Sequence, residues 1–334
     1  MRQSNIELCR IASIALVLLV HSAFSANGFP QTLDASSFWL IVLESMSIIG
    51  VNVFIFISGF FSIKLKPKTI HNIVFICAFY FCILTTISLL LGKPFLLKNL
   101  LFISHSHGFI LDYTGLILLS PILNKYVENT DKKSFLTLLI LLISFQTYFG
   151  YIIGANSRQF NDGYGLVSYS IIYLIARYIN LYGINPLIKK YSGIIYLLAT
   201  ISLIGIACFF LHTDHPNYLR RLYAYYNPII IISAISFFLF FEKMSIKPNK
   251  FINHIAKSTL GILLFHAAAP ASPTIWRYMK TYFQSLTDNF HLMNILYWGL
   301  GIIIIMSAAI VVDQLRLYLS DKTYYIINKK QHGL

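Results

Sequence analysis

Arg10 to His21 reads RIASIALVLLVH, an arginine and a histidine closing ten largely apolar residues. The apolar run continues to Ala26, long enough to cross a bilayer as a helix. Composition supports the same reading for the rest of the chain. Apolar residues make up 57% of 334, with 27 Phe and 22 Tyr, and mean hydropathy is +0.69. Charged residues make up only 11% and gather in short clusters between long apolar runs, as spanning helices require and a charged soluble surface does not. The sequence therefore specifies an all-α, polytopic membrane protein, expected to be one integral domain over residues 1–334.

Apolar windows place spans at about 6–26, 37–63, 70–91, 108–126, 133–151, 165–182, 190–211, 222–242, 251–269 and 291–317. That gives about ten, or eleven if IWRYMKTYF, Ile275 to Phe283, forms a further short or re-entrant helix. Sorting the basic residues by alternate loops puts seventeen on one side and seven on the other, with Arg10 and Arg177 in spans. The basic excess marks the cytoplasmic face and places both termini there. The same asymmetry accounts for the net charge of +14 without a nucleic-acid partner. The stretch from Ser13 to Ala26 has the look of a secretory signal, but its polar residues at chosen places predict a retained helix. The four cysteines all sit in apolar stretches and form no CxxC or Cys/His cluster, so neither a disulfide nor a zinc site is expected. No internal repeat of the kind seen in inverted-repeat transporters is visible.

Eleven positions separate Arg10 from His21, about three helical turns plus about 20°, with a rise of roughly 16 Å. The two side chains therefore share a face, Arg10 toward the cytoplasm and His21 toward the outside. A guanidinium at the inner boundary suits bidentate phosphate binding, and an imidazole can take a proton from an alcohol. Snorkelling of Arg10 and helix packing by His21 stand beside these readings. Ionisable residues inside spans are costly, which makes them functional candidates.

The second span holds GVNVFIFISGFF, Gly50 to Phe61, preceded by Glu44. Glu44 falls near the depth of His21 and is a candidate to orient the ring in a His–carboxylate dyad. Asn52 is a second polar candidate, whereas Ser58 and Gly59 serve either a ligand or close helix packing. In IAKSTLGILLFH, His266 also reaches the depth of His21. His105, His107 and Asp112 in SHSHGFILDY look at first like a metal site, but no third spaced ligand follows and no metal is expected. Arg220, Arg221 and the tyrosines of LYAYYNP, Tyr226 among them, read either as an interfacial aromatic belt or as a cationic platform for a sugar.

These segments resemble the integral membrane acyltransferases of acyltransferase family 3. NIELCRIASIALVLLVH carries that family's arginine, ten residues, histidine pattern at Arg10 and His21. GVNVFIFISGFF is similar to its GV-x-x-FF-x-x-SGF segment, and YTGLILLSPILN, IIYLIARYINLY, YYNPIIIISAISFFLF and STLGILLFH follow in family order. Gly108 and Phe109 stand where the family often has tryptophan before an aromatic residue, and GILLFH lacks a common tyrosine.

The resemblance implies acyl transfer, usually acetyl, from acyl-CoA to a hydroxyl of a surface polysaccharide or its lipid-linked glycan precursor. It implies a location in the bacterial cytoplasmic (inner) membrane, surrounded by membrane lipids, in the form without an SGNH esterase domain. In the carried-over roles, His21 and Arg10 are catalytic with Glu44 in support, and His21 acts either as general base or as a covalent acyl relay. Arg10, Ser58 and Gly59 would contact acetyl-CoA as donor, and Asn52, His266, Tyr113, Arg220 and Tyr226 the acceptor. A transporter or flippase for a lipid-linked glycan is the competing reading from another class, since its cavity also needs intramembrane Arg, His and Glu.

Overall fold

The computed structural model describes residues 3–92, 108–153, 160–267, 273–288 and 290–331. These residues are mostly helical, with no strand among them. The helices are α1 (Ser4–Ser22), α2 (Phe24–Asn27), α3 (Ala35–Ser47), α4 (Gly50–Phe60), α5 (Pro67–Leu90), α6 (Gly108–Glu128), α7 (Lys132–Phe145), α8 (Leu166–Tyr182), α9 (Pro186–Lys190), α10 (Ser192–His212), α11 (Tyr218–Leu222), α12 (Pro228–Glu242), α13 (Lys250–Ile255), α14 (Thr259–Ala267), α15 (Pro273–Asp288) and α16 (Met293–Gln331).

Six stretches among the described residues are long and apolar enough to cross a membrane: Ser4–Asn27, Ala35–Phe60, Pro67–Leu90, Lys132–Ile152, Ser192–His212 and Met293–Ile326. Leu166–Tyr182 and Pro228–Glu242 are apolar but shorter. Of the ten expected spans, six are long and apolar enough among the described residues. For two of the others a physical reason is visible. The expected span at 251–269 is broken by a 3₁₀ turn at Ala256–Ser258 into α13 and α14, and α6 carries Asp112 and an internal Pro121. The candidate re-entrant segment is α15, which buries Met279 and Phe283 and exposes Tyr278. Of the four cysteines in apolar stretches, Cys9 and Cys77 are buried, Cys208 is half-buried and Cys82 is exposed.

The bundle is assembled around α4, which packs on α1, α8 and α12. Two glycines permit this. A Cβ on Gly50 would fall 2.8 Å from Val17 Cγ2 and 2.9 Å from the Ser13 carbonyl oxygen of α1. A Cβ on Gly59, at the other end of α4, would meet the Tyr173 carbonyl oxygen at 2.5 Å and Ala176 Cβ at 2.9 Å on α8. The backbone of α4 thus lies directly on two neighbours, as small residues allow in membrane bundles.

A buried ion pair fastens the last helix. Arg316 donates to both carboxylate oxygens of Asp313, at 3.0 and 2.7 Å, and the Tyr80 hydroxyl of α5 donates to the same carboxylate at 3.0 Å. Arg316 also donates to the Lys257 carbonyl at 3.3 Å, in the 3₁₀ turn before α14. Asp313 is fully buried, so the charge pair and its extra donors satisfy groups that have no water to turn to.

Candidate active site

Arg10, Ile14, Val17 and His21 recur at helical spacing and line one side of a cavity of about 150 Å³. Val51, Phe54 and Ser58 form the facing stripe of α4. Phe109 and Tyr113, one turn apart on α6, stack with centroids 5.4 Å apart and planes 13° apart, and both reach the cavity. Thr259, Leu260 and Leu263 of α14, with Tyr164, complete the wall. The cavity is mostly apolar, with polar groups at its two ends.

At one end, Arg10 is about one-third exposed and lies 3.7 Å from the buried Glu7 carboxylate. Ser58 sits about 12 Å along α4 from Gly50, which touches α1 at Ser13 and Val17, so antiparallel packing brings Ser58 to the level of Arg10. The Ser58 hydroxyl donates to the Phe54 carbonyl at 2.9 Å and lies 3.1 Å from the Tyr113 hydroxyl. The hydrogen bond to Phe54 occupies the serine proton, leaving Tyr113 to donate to Ser58.

At the other end, His21 Nδ1 lies 2.8 Å from His266 Nε2, with ring centroids 5.0 Å apart. His266 Nδ1 lies 2.6 Å from the Ile262 carbonyl oxygen on its own helix, and His266 is fully buried. The Trp276 ring of α15 meets His21 in a T-shaped contact at 5.9 Å. A second cavity, about 170 Å³, is lined by Gly108, Ile110, Leu264 and Ala267 and shares His21, Phe109, Tyr164 and Leu263 with the first. His21 thus stands where two chambers meet, one of which runs back to Arg10.

The sequence profile of an acyltransferase domain, that of acyltransferase family 3, matches residues 3–313. The chain belongs to acyltransferase family 3. It is a multi-pass, helical membrane acyltransferase. No curated protein and no solved structure matches it.

Within this acyltransferase, Arg10, His21, Ser58 and Tyr113 come together on one cavity, which puts Tyr113, expected on the acceptor side, beside Ser58 in the chamber that runs to Arg10. The other candidates are placed differently. Glu44 does not take the ring nitrogen of His21. Between α1 and α2 the backbone breaks at Ala23, which frees the Phe24 N–H, and Glu44 Oε2 accepts it at 3.2 Å. A buried helix start needs such an acceptor, and the carboxylate supplies it. The dyad is therefore His–His rather than His–Glu. His266 lines neither cavity and reaches the site only through His21.

Gly59 faces α8 and not the cavity, so of the Ser-Gly pair only Ser58 is available to a ligand. Asn52 Nδ2 donates to the Tyr225 carbonyl at 2.9 Å and borders a small void with Phe56 and Ile172, away from His21. Arg220 pairs with Asp162 at 2.9 Å, and Tyr226 is buried near Tyr151 and Phe160, so neither borders the two chambers. His105 and His107 lie outside the described residues, and the described residues hold no group of three His, Cys, Asp or Glu side chains suited to a metal.

Phe54, Tyr164 and Trp276 are site residues that sequence reading did not single out. Phe54 was within reach, since it stands at helical spacing between Val51 and Ser58. Trp276 carried no such signal, because only the packing of α15 brings it to a helix that precedes it by most of the chain.

Proposed function

We propose that this acyltransferase moves an acyl group, most simply acetyl, from acyl-CoA to a hydroxyl of a surface polysaccharide or its lipid-linked glycan precursor, in the bacterial inner membrane. The observation that carries the reading is the meeting of two chambers at His21, with Arg10 at the far end of one. With the amino terminus in the cytoplasm, Arg10 faces the side that supplies acyl-CoA and binds its phosphates by charge-assisted hydrogen bonds. The apolar wall between Arg10 and His21 spans roughly 16 Å, which suits an extended pantetheine arm. The acceptor enters by the second chamber.

The ring nitrogen of His21 that faces the cavity takes the proton of the acceptor hydroxyl as its oxygen attacks the thioester carbon. The carbon–sulfur bond then breaks, and the departing thiolate recovers that proton from His21. The acceptor gains an ester, the donor leaves as a thiol, and His21 ends as it began. Holding both reactants against one imidazole converts a bimolecular encounter into a positioned one. The apolar lining of the donor chamber disfavours water as a competing acceptor.

NMR of O-acyl groups on surface glycan tests the reading, in cells expressing wild type, His21→Ala or Arg10→Ala at matched levels. Loss of acylation in both variants is expected. Full acylation with His21→Ala overturns the assignment of the base. Untouched acylation with blocked glycan export on loss of the protein indicates transport instead.

A further inference from the structure

His21 and His266 form a chain of two hydrogen bonds that ends on a backbone carbonyl. That carbonyl decides where the hydrogens are. The Ile262 oxygen has no proton to give, so His266 Nδ1 carries the hydrogen in the 2.6 Å contact. Among the described residues, the hydrogen-bond partners of His266 are this carbonyl and a second imidazole, neither of them an anion, and the ring is fully buried. A charge there would go uncompensated, so the ring is neutral and its Nε2 is a bare acceptor. His21 Nδ1 must then carry the hydrogen across the 2.8 Å contact.

We infer that His266 is a positioning residue that locks His21 as the Nδ1–H tautomer, which makes Nε2 of His21 the proton-accepting atom of the site. The inference deepens the proposed general-base role and rests on it for its catalytic consequence. In water the Nε2–H tautomer of a histidine is preferred, so without an acceptor at Nδ1 the ring would present a hydrogen, not a lone pair, to the acceptor hydroxyl. When Nε2 takes the hydroxyl proton, the resulting imidazolium keeps its Nδ1–H on His266, which holds the ring plane while the ester forms. The arrangement places a neutral imidazole where many hydrolytic sites place a carboxylate. It also explains why Glu44 is free to serve the backbone at Phe24.

The tautomer can be read directly in the resting protein. Purified full-length protein with ring-¹⁵N histidine is examined by solid-state NMR, and the His21 signals are assigned by their loss in His21→Gln. The expected result is a protonated Nδ1 and an unprotonated Nε2. A protonated Nε2 in the wild type overturns the inference. Two variants then test the consequence with acyl-CoA and an isolated glycan acceptor. His266→Gln keeps an amide oxygen to accept from His21 and an NH₂ to donate to Ile262, and is expected to stay within about tenfold of wild-type kcat. His266→Leu removes the acceptor, and is expected to lose about 10²–10⁴-fold in kcat with KM for acyl-CoA within twofold.

Equal loss in both variants, with the Nδ1–H signal kept in His266→Gln, would reduce His266 to packing and overturn the positioning role. Because the NMR reading needs no substrate, its failure is distinct from a failure to find acyl transfer.

Discussion

Gly261 of α14 faces the buried ion pair of α16, and its replacement by alanine gives a quantitative test of how the site is held. An added methyl would collide with the Asp313 carboxylate and lie 2.7 Å from the Tyr80 hydroxyl. These atoms cannot simply turn aside, because Asp313 is fully buried, holds Arg316 at two points and accepts from Tyr80. If α14 moves to make room, the cost is that of overpacking, about 1–3 kcal/mol. If the carboxylate is displaced from Arg316, an uncompensated buried charge costs about 3–5 kcal/mol. At roughly 2 °C per kcal/mol, Gly261→Ala should melt about 2–10 °C below wild type.

Reaction of a thiol-sensitive dye with buried Cys9 and Cys77 on heating reports this melting, in a Cys82→Ser/Cys208→Ser background that removes the exposed and half-buried thiols. Gly205→Ala is the control. Nothing lies within 4 Å of its added Cβ, so it should gain about 0.5–1 kcal/mol from helix propensity. Since α14 also carries Leu260, Leu263 and His266, Gly261→Ala should lose acyl transfer along with stability. A Gly261→Ala protein that melts at or above the wild-type temperature would refute the packing of α14 on the Asp313–Arg316 pair.

Replacing Arg10 by alanine should raise KM for acyl-CoA about 10–150-fold, the loss of a charge-assisted hydrogen bond of about 1.5–3 kcal/mol, as steady-state thiol release will show. His21→Ala should lower kcat by about 10²–10⁴-fold and leave acyl-CoA binding in place, checked by equilibrium binding of the labelled donor. Glu44→Gln keeps an acceptor for the Phe24 N–H and should retain acyl transfer, whereas Glu44→Leu should melt lower by about 1–3 kcal/mol; loss of kcat in Glu44→Gln with stability intact would restore a chemical role to the carboxylate.

The Asp34 carboxyl caps α3 by accepting the Ser37 N–H at 2.8 Å, which holds its pKa below the ordinary value of 3.8. Its contribution to stability should be complete above about pH 4 and fade as pH falls through the lowered folded value. Asp34→Ala should cost about 1 kcal/mol at neutral pH and nothing extra in acid, measured by the same melting assay.

The sequence by itself determined the helical membrane architecture and the alignment of Arg10 with His21. Both follow from local rules. A bilayer admits apolar helices because they satisfy their own backbone groups, and a fixed angle per residue puts positions eleven apart on one face. The family was legible for the same reason, since its marks are short motifs kept in order along the chain. Span boundaries were less legible where a break costs little, as at Ala256–Ser258, because a 3₁₀ turn leaves the apolar pattern unchanged.

Only the tertiary structure decided which polar group meets which. Glu44, His266 and His21 were expected at one depth, but depth fixes only one coordinate. Rotation of α3 about its axis sends Glu44 to the Phe24 N–H, and the packing of α14 sends His266 to a ring 245 positions away. The same rotation rule separates Ser58 from Gly59, adjacent in sequence and about 100° apart on the helix, so that one faces the cavity and the other the backbone of α8.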